Sequence, residues 1–378
     1  MNKKVLIIFA IAIRLSLFSY AEIKAPQSKF QSDTVTYTQP ATNLIRHAAF
    51  SNAYNQDGSY SPETFRTPGY PLFLGIFHDL MKISYSGVVL IQIFLTILAA
   101  YFTYKAALII NPKLAFLSSL IVLYDPPVTI FSLMLLSESL FLFSISIFMY
   151  MFVLYLKTQK TKFLLFSALI LVLATYVRPI SYYLGLASGI FLIYLSIRTK
   201  IKKIIIHILV FLTIAYSLLG LWQFRNYKLS GKNVFSSWEK EFGPWYRKDT
   251  RDDTELTKSL PPLPYYLNAV SRCIVSLMTD PGTLKYFNSV NLKFIGKVFA
   301  YPWMVFWLIG FIIGTAKINN NFYLQFLAWC ALYFIAASVG GVLFGIGSRF
   351  RVPMVPCLAI LSSYGWLRVV SIVNRNNK

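Results

Sequence analysis

Apolar residues in this chain come in long runs separated by short polar stretches. The runs cover 1–21, 86–110, 114–136, 140–156, 163–177, 181–197, 204–222, 298–316, 322–344 and 354–373. Most approach twenty residues, the length that crosses a hydrocarbon core of ~30 Å. The alternating polarity of barrel strands is absent, so spanning helices remain as the architecture. The pattern predicts an all-α polytopic membrane protein of about ten transmembrane helices. In the third run, Asp125-Pro126-Pro127 removes amide donors and must stop or break a helix. The segment from Val128 to Leu136 then either re-enters or completes the span.

The polar stretches set the organisation. Residues 1–22 read as a first transmembrane helix and 23–85 as an exoplasmic loop. Helices two to seven fill 86–222, and 223–297 forms a small exoplasmic cap segment. The last three helices and a basic cytoplasmic tail fill 298–378. Ser19-Tyr20-Ala21 would pass as a signal-peptidase site, but Arg14 interrupts the apolar run, which favours an uncleaved first helix. Lys157, Lys160, Lys162, Arg198, Lys200, Lys202 and Lys203 fall in short turns on one side, as the positive-inside rule requires of cytoplasmic loops. Both termini are then cytoplasmic.

Composition narrows the classes further. The chain is 56% hydrophobic and 13% charged, with a formal charge of +22. No soluble basic domain carries that excess, so nucleic acid is not the partner. Cys273, Cys330 and Cys357 are scattered and give no disulfide framework. His47, His78 and His207 do not cluster, which speaks against zinc. A divalent metal held by carboxylates stays open, without a ligand cluster to support it.

The topology brings Asp33, Arg66, Asp125, Glu138, Arg178, Arg225, Arg349 and Arg351 to one membrane face. Ionisable groups at the hydrocarbon boundary are costly and tend to face functional cavities. Asp33 is the candidate general base, its alternative being an Asx turn or helix cap. Arg66 precedes the stiff turn Pro68-Gly69-Tyr70-Pro71. Arg349 and Arg351 repel each other unless an anion lies beside them, and guanidinium suits phosphate. Glu138 reads either as a site acid or as a helix-start acid favoured by the dipole. Arg178 and Arg225 sit at helix ends, where snorkelling is a sufficient alternative. Asp125 reads mainly as turn chemistry.

These motifs, taken in order, resemble a known family. Asp33 with Tyr37 and Ala41, Arg66-x-Pro-Gly-Tyr-Pro-Leu-Phe-Leu, Pro127 ahead of Ser137-Glu138, Arg178-Pro179, Trp222-x-x-Arg225-Asn226 and Arg349-Phe350-Arg351-x-Pro353 are similar to the C-type membrane glycosyltransferases. The branch is that of protein O-mannosyltransferases and the lipid A aminoarabinose transferase. The resemblance implies a GT-C fold with a helical first exoplasmic loop. It further implies an inverting transfer of a sugar from a polyprenyl-phosphate donor to an acceptor hydroxyl of a lipid, protein or glycan on the outer face. Asp33 would activate the acceptor, and Glu138 would lie near the sugar. Arg66, Arg349 and Arg351 would bind the donor phosphate, with Tyr37, Tyr70, Arg178 and Arg225 in support. The absence of any Asn-x-Ser/Thr sequon agrees with a bacterial inner membrane, with the site facing the periplasm or exterior. The segment 223–297 leaves little room for the large C-terminal soluble domain of some relatives. A transporter or flippase of lipid-linked sugars is the rival from another class, although no internal repeat is visible. A polysaccharide polymerase or ligase is the second rival.

Overall fold

The computed structural model describes residues 3–55, 58–237, 263–282, 290–318, 320–341 and 347–376. Helix α1, Lys3–Lys24, is followed by a polar loop that folds into structure of its own. That loop contains α2, Val35–His47, a hairpin of β1, Ser51–Tyr54, and β2, Tyr60–Pro62, and then α3, Gly69–Leu74. The strands pair antiparallel, with Tyr54 opposite Tyr60 and an irregularity between Ser51 and Ala53.

The bundle follows: α4, Tyr85–Ile110; α5, Pro112–Tyr124; α6, Pro126–Ser132; α7, Glu138–Thr158; and α8, Thr161–Val177. It continues with α9, Leu184–Thr199, and α10, Lys203–Ser230. A short helix α11, Leu263–Thr279, precedes α12, Val290–Ala316, α13, Phe322–Gly341, and α14, Val355–Asn376. Among the described residues, eight helices are long and apolar enough to cross a membrane, and α5 with α6 forms a ninth candidate bent by 52°. With the 17-residue α8, they occupy the places of the apolar runs. The chain is an integral membrane protein.

The break between α5 and α6 follows from its sequence. Pro126 and Pro127 supply no amide donors, and the Asp125 side chain accepts from the Val128 amide at 3.0 Å, capping the new helix. Residues 133–137 then cross the interior without helical bonding. Their carbonyls must be satisfied in place, because no water reaches them. Gln92 Nε2 donates to the Ser132 and Met134 carbonyls, and its Oε1 accepts from Tyr70 Oη at 2.6 Å. The helical first loop docks on this same crossing. Leu135 N donates to the Lys29 carbonyl at 2.9 Å, and Thr34 Oγ1 donates to the Leu135 carbonyl at 3.2 Å.

Helices α12 and α14 approach to backbone contact. A Cβ on Gly365 would stand 1.9 Å from the Gly310 carbonyl oxygen, and one on Gly314 would stand 2.0 Å from that of Leu361. Gly310 and Gly314 form a small-x-x-x-small stripe, which lets helix axes close where lipid offers no hydrophobic drive. The cap segment differs from its expected bounds. Helix α10 runs on to Ser230 and α12 begins at Val290, so both neighbours extend into it. Residues 238–262 and 283–289 of that segment lie outside the described residues.

Candidate active site

Asp33 stands two residues ahead of α2, and its side chain makes no cap: the N-cap residue is Thr34, with no side-chain bond to the helix. The carboxylate is therefore free for other partners. Arg66 Nη2 donates to its Oδ1 at 3.1 Å, and Arg349 Nη1 donates to its Oδ2 at 2.6 Å. The remaining donors of Arg66 reach α2, with Nε to Thr36 Oγ1 at 2.8 Å and Nη1 to Tyr37 Oη at 3.1 Å. The guanidinium also lies 4.4 Å from the centre of the Tyr37 ring. One face of α2 and the turn before α3 are thus locked by one arginine.

Several backbone contacts aim Arg66. Glu63 Oε1 accepts from the amides of Phe65 and Arg66, at 2.5 and 2.9 Å, closing the turn behind the side chain. Thr67 Oγ1 donates to the Val177 carbonyl at 3.3 Å. Gly69 permits that approach, since a Cβ there would stand 2.7 Å from the Tyr176 carbonyl. The Pro-Gly turn and the end of α8 are held together, and Arg178 follows directly.

Glu138 opens α7 and is 1% exposed. Its Oε1 accepts from Arg178 Nη1 at 2.5 Å and from Arg349 Nε. Its Oε2 has no partner. Arg349 consequently bridges the two carboxylates, Asp33 on one side and Glu138 on the other. Three guanidiniums, those of Arg66, Arg178 and Arg349, meet two carboxylates and leave one positive charge over. A cavity of about 150 Å³ opens on this cluster, lined by Asp33, Tyr37, Arg66, Arg178, Ser338 and Arg349 among others. Burial pushes the Asp33 carboxyl up, and Arg349 and Arg66 outweigh it, holding the group below the usual carboxylate range.

The expected residues thus divide. Asp33, Tyr37, Arg66, Arg178 and Arg349 line one cavity. Glu138 is not among the lining residues and stands behind Arg178 and Arg349, pairing with both. Arg351 is not in the cavity, which corrects its expected place at the phosphate. It is fully buried; Nη1 donates to the Leu277 and Met278 carbonyls at 2.8 and 3.0 Å, and Nη2 lies 4.0 Å from Asp125 Oδ2. The reason is local geometry. Ser348–Met354 is a 3₁₀ helix, in which residues two apart point about 120° away from each other around the axis.

Tyr70 packs edge-on to Tyr37 at 4.9 Å and reaches Gln92, away from the cavity. Arg225 donates to the Glu63 carbonyl at 2.5 Å and stacks 4.6 Å from Trp222, bracing the turn that presents Arg66. Asp125 caps α6 and faces Arg351. Glu63 and Thr36 were not foreseen. The signal for Glu63 was an acceptor placed two and three residues before the amides it binds, the spacing of a capping side chain. Among the described residues no group of three His, Cys, Asp or Glu side chains is placed to hold a metal ion.

Residues 65–222 match the family model described as dolichyl-phosphate-mannose-protein mannosyltransferase. That segment carries Arg66, Glu138 and Arg178, while Asp33 and Arg349 lie outside it. No curated protein sequence matches the chain. The fold is similar to that of apo ArnT from Cupriavidus metallidurans, with a TM-score of 0.57 and 11% identity over 96% of this chain and 59% of that one. It is also similar to the apo oligosaccharyltransferase of Archaeoglobus fulgidus, with a TM-score of 0.59 and 12% identity over 99% of this chain and 51% of that one. A third structure, Archaeoglobus fulgidus AglB in complex with an inhibitory peptide and a dolichol-phosphate, gives a TM-score of 0.58 at 13% identity over 99% of this chain and 51% of that one. The chain spans roughly half to three fifths of the length of these structures. The chain shares its fold with these structures.

Proposed function

We propose that the protein is an inverting glycosyltransferase that moves a sugar from a polyprenyl-phosphate donor to an acceptor hydroxyl at the outer membrane face. The observation that carries the reading is the bridging of Asp33 and Glu138 by Arg349, with Arg66 and Arg178 completing a cluster one positive charge in excess. A phosphate supplies the missing negative charge, and guanidinium forks match its oxygens. The structure of AglB with a dolichol-phosphate supports a lipid-phosphate ligand for this architecture.

In this reading the acceptor hydroxyl approaches Asp33 from the aqueous side. The acceptor oxygen forms its bond to the anomeric carbon as the bond to the phosphate oxygen breaks. The hydroxyl proton passes to Asp33, and the phosphate departs with the bonding electron pair, its charge held by Arg66 and Arg349. Preorganised guanidiniums in a site poor in water lower the barrier where charge develops. Phosphate and Asp33 compete for the same arginines. As the phosphate takes them, Asp33 loses the charges that depress its basicity and becomes the better base.

The loop 23–85 then serves as the catalytic element and the segment 223–297 as a cap, with both termini cytoplasmic and the membrane a bacterial inner membrane. The test is mass spectrometry of lipid-linked sugars and surface glycans in cells carrying the wild-type chain or Asp33→Asn. Accumulation of a lipid-linked sugar together with loss of one glycan mass supports the transferase. Unchanged transfer in the variant removes Asp33 as base, and unaffected glycans after gene deletion remove the activity.

A further inference from the structure

A second cavity, of about 230 Å³, adjoins the one that holds Asp33, and the two share Pro179 and Ser236 in their walls. It lies between the turn after α8, the end of α10 and the strap 232–237 that follows α10. The strap is pinned from both sides. Asn226 Nδ2 donates to the Val234 and Phe235 carbonyls at 3.2 and 3.0 Å, and Trp222 Nε1 donates to the Phe235 carbonyl at 3.1 Å. On the loop side, Ser236 Oγ donates to the Phe65 carbonyl at 2.7 Å, and Ser237 N donates to that of Thr64 at 2.9 Å. The wall between the two cavities is therefore a built one, tied to the same turn that presents Arg66.

The chemistry changes across that wall. No charged side chain lines the second cavity, and Arg178, beside Pro179, turns away to Glu138. Two tyrosines and two carboxamides stand there instead. Tyr182 Oη donates to Gln223 Oε1 at 3.0 Å, and Gln223 Nε2 donates to Asn233 Oδ1 at 2.8 Å. The relay ends at Asn233 Nδ2, whose N–H groups have no partner among the described residues. The Tyr182 and Tyr183 rings, 4.9 Å apart and inclined at 82°, make an aromatic corner. Tyr183, 58% exposed, would by itself read as a boundary aromatic, but carboxamides beside it are costly to bury without a hydrogen-bonding partner. The volume is that of roughly eight waters at ~30 Å³ each, enough for one six-membered sugar ring. Sugar hydroxyls both donate and accept, as a carboxamide does, and a C–H edge rests on the electron-rich face of an aromatic ring. A phosphate would find no cation here, and an acyl chain would strand the carboxamides.

We propose that this pocket seats an uncharged sugar ring of the acceptor, between the Tyr182–Tyr183 corner and the Gln223–Asn233 amides, so that the acceptor is a glycan. The inference rests on the transferase reading. A donor sugar bonded to its phosphate stands between the arginines and Asp33, within the first cavity. The ring across Pro179 and Ser236 then belongs to the molecule that brings its hydroxyl to Asp33.

The test is saturation-transfer difference NMR of the full chain in lipid nanodiscs free of glycoside detergent. The probes are the methyl glycosides of glucose, galactose, mannose and N-acetylglucosamine, and an N-acetylated Ala-Ser-Ala amide. At least one glycoside should bind the wild type and the peptide should not. Tyr183→Ala and Asn233→Ala should each weaken that binding on the order of tenfold, and Tyr183→Phe, which keeps the ring, should retain it. Both side chains are exposed, so neither substitution threatens the fold. Undecaprenyl phosphate, followed by native mass spectrometry, should bind all three variants as it binds the wild type. When a lipid extract of the source membranes is added, the bound glycoside should gain one sugar mass. Absence of glycoside binding, binding of the peptide instead, or binding indifferent to both alanine variants overturns the proposal. Loss of undecaprenyl phosphate with the glycoside, or consumption of the lipid-linked sugar without extension of the bound glycoside, assigns the ring to the donor and also overturns it. A glycoside that binds while no lipid-linked sugar is ever consumed counts against the transferase reading, whereas consumption with no glycoside bound counts against the pocket, so the two failures are told apart.

Discussion

Arg349 Nη1 lies 2.6 Å from Asp33 Oδ2 across a separation of 316 residues, and the same guanidinium binds Glu138 through Nε. One side chain therefore sets the spacing of both carboxylates. Replacing Arg349 with Ala should abolish transfer while the folded protein persists, since its side chain is partly exposed to the cavity. Purified variant with unchanged melting temperature and no turnover is the expected pair of results. Substantial remaining turnover would remove Arg349 from the site.

Arg351→Ala should behave in the opposite way. The loss strands Asp125, which is 1% exposed, and breaking a buried pair from one side costs ~3–5 kcal/mol. The C-terminal carbonyls of α11 lose their donor as well. A large drop in melting temperature or in yield should precede any effect on chemistry. A variant that is stable but inactive would return Arg351 to the phosphate.

Asp33→Asn should lower turnover by ~10²–10⁴-fold with substrate binding largely kept. The pH dependence follows from the sign of the shift. Arg349 and Arg66 hold the folded Asp33 below the usual carboxylate range, so the base stays ionised through neutrality. Activity on free enzyme should fall only as acid takes the pH through that lowered value. The stability contributed by Asp33 is present above its unfolded value and disappears over the same descent. With saturating donor the acid limb should move upward, because phosphate then shares the arginines. A limb that does not move would count against the competition.

Glu63→Gln should be tolerated and Glu63→Ala should not. The glutamine oxygen can still accept from the amides of Phe65 and Arg66, which alanine leaves unpaired at the turn. Burial raises the Glu63 carboxyl above its ordinary value against those amide bonds, so the folded state favours the protonated acid and its contribution weakens as pH rises. The amide variant should reduce that dependence in a melting series from acid to neutral pH. Alanine should cost ~1–3 kcal/mol, the penalty for leaving buried donors unsatisfied. It should raise KM for the donor by loosening Arg66.

Gly365→Leu should separate α12 from α14, because even a Cβ there would meet the Gly310 carbonyl at 1.9 Å. Overpacking costs typically ~1–3 kcal/mol, read as a lower melting temperature, and Gly365→Ala should fall between wild type and leucine.

The membrane bundle was legible because apolar runs of spanning length carry their own signal, and the Asp125-Pro126-Pro127 bend could be placed to the residue. Asp33 and Arg66 were legible as types held in a polar loop with a stiff turn. Their pairing with Arg349 was not, since residues 33, 66 and 349 meet only when the bundle closes. Arg351 misled because its sequence neighbourhood matches that of Arg349, and only the turn of a 3₁₀ helix separates their directions. Glu138 was visible as an acid at a helix start, but which side of the arginines it would occupy depends on the crossing at residues 133–137, a segment without periodicity to read.

The contact of α12 with α14 also decides how the cavity can adapt. At Gly314 and Gly365 backbone rests on backbone, and at Gly310 the Ser362 and Trp366 side chains pack directly on the glycine, so the two rods have little slack to take up a shift. The wall that carries Arg349 continues directly into α14 and is stiff for that reason. The opposite wall, with Asp33 and Arg66, is a loop held by side-chain hydrogen bonds to α2 and to the turn. A substrate of different size would therefore strain those side-chain hydrogen bonds before it strained the backbone contact behind Arg349.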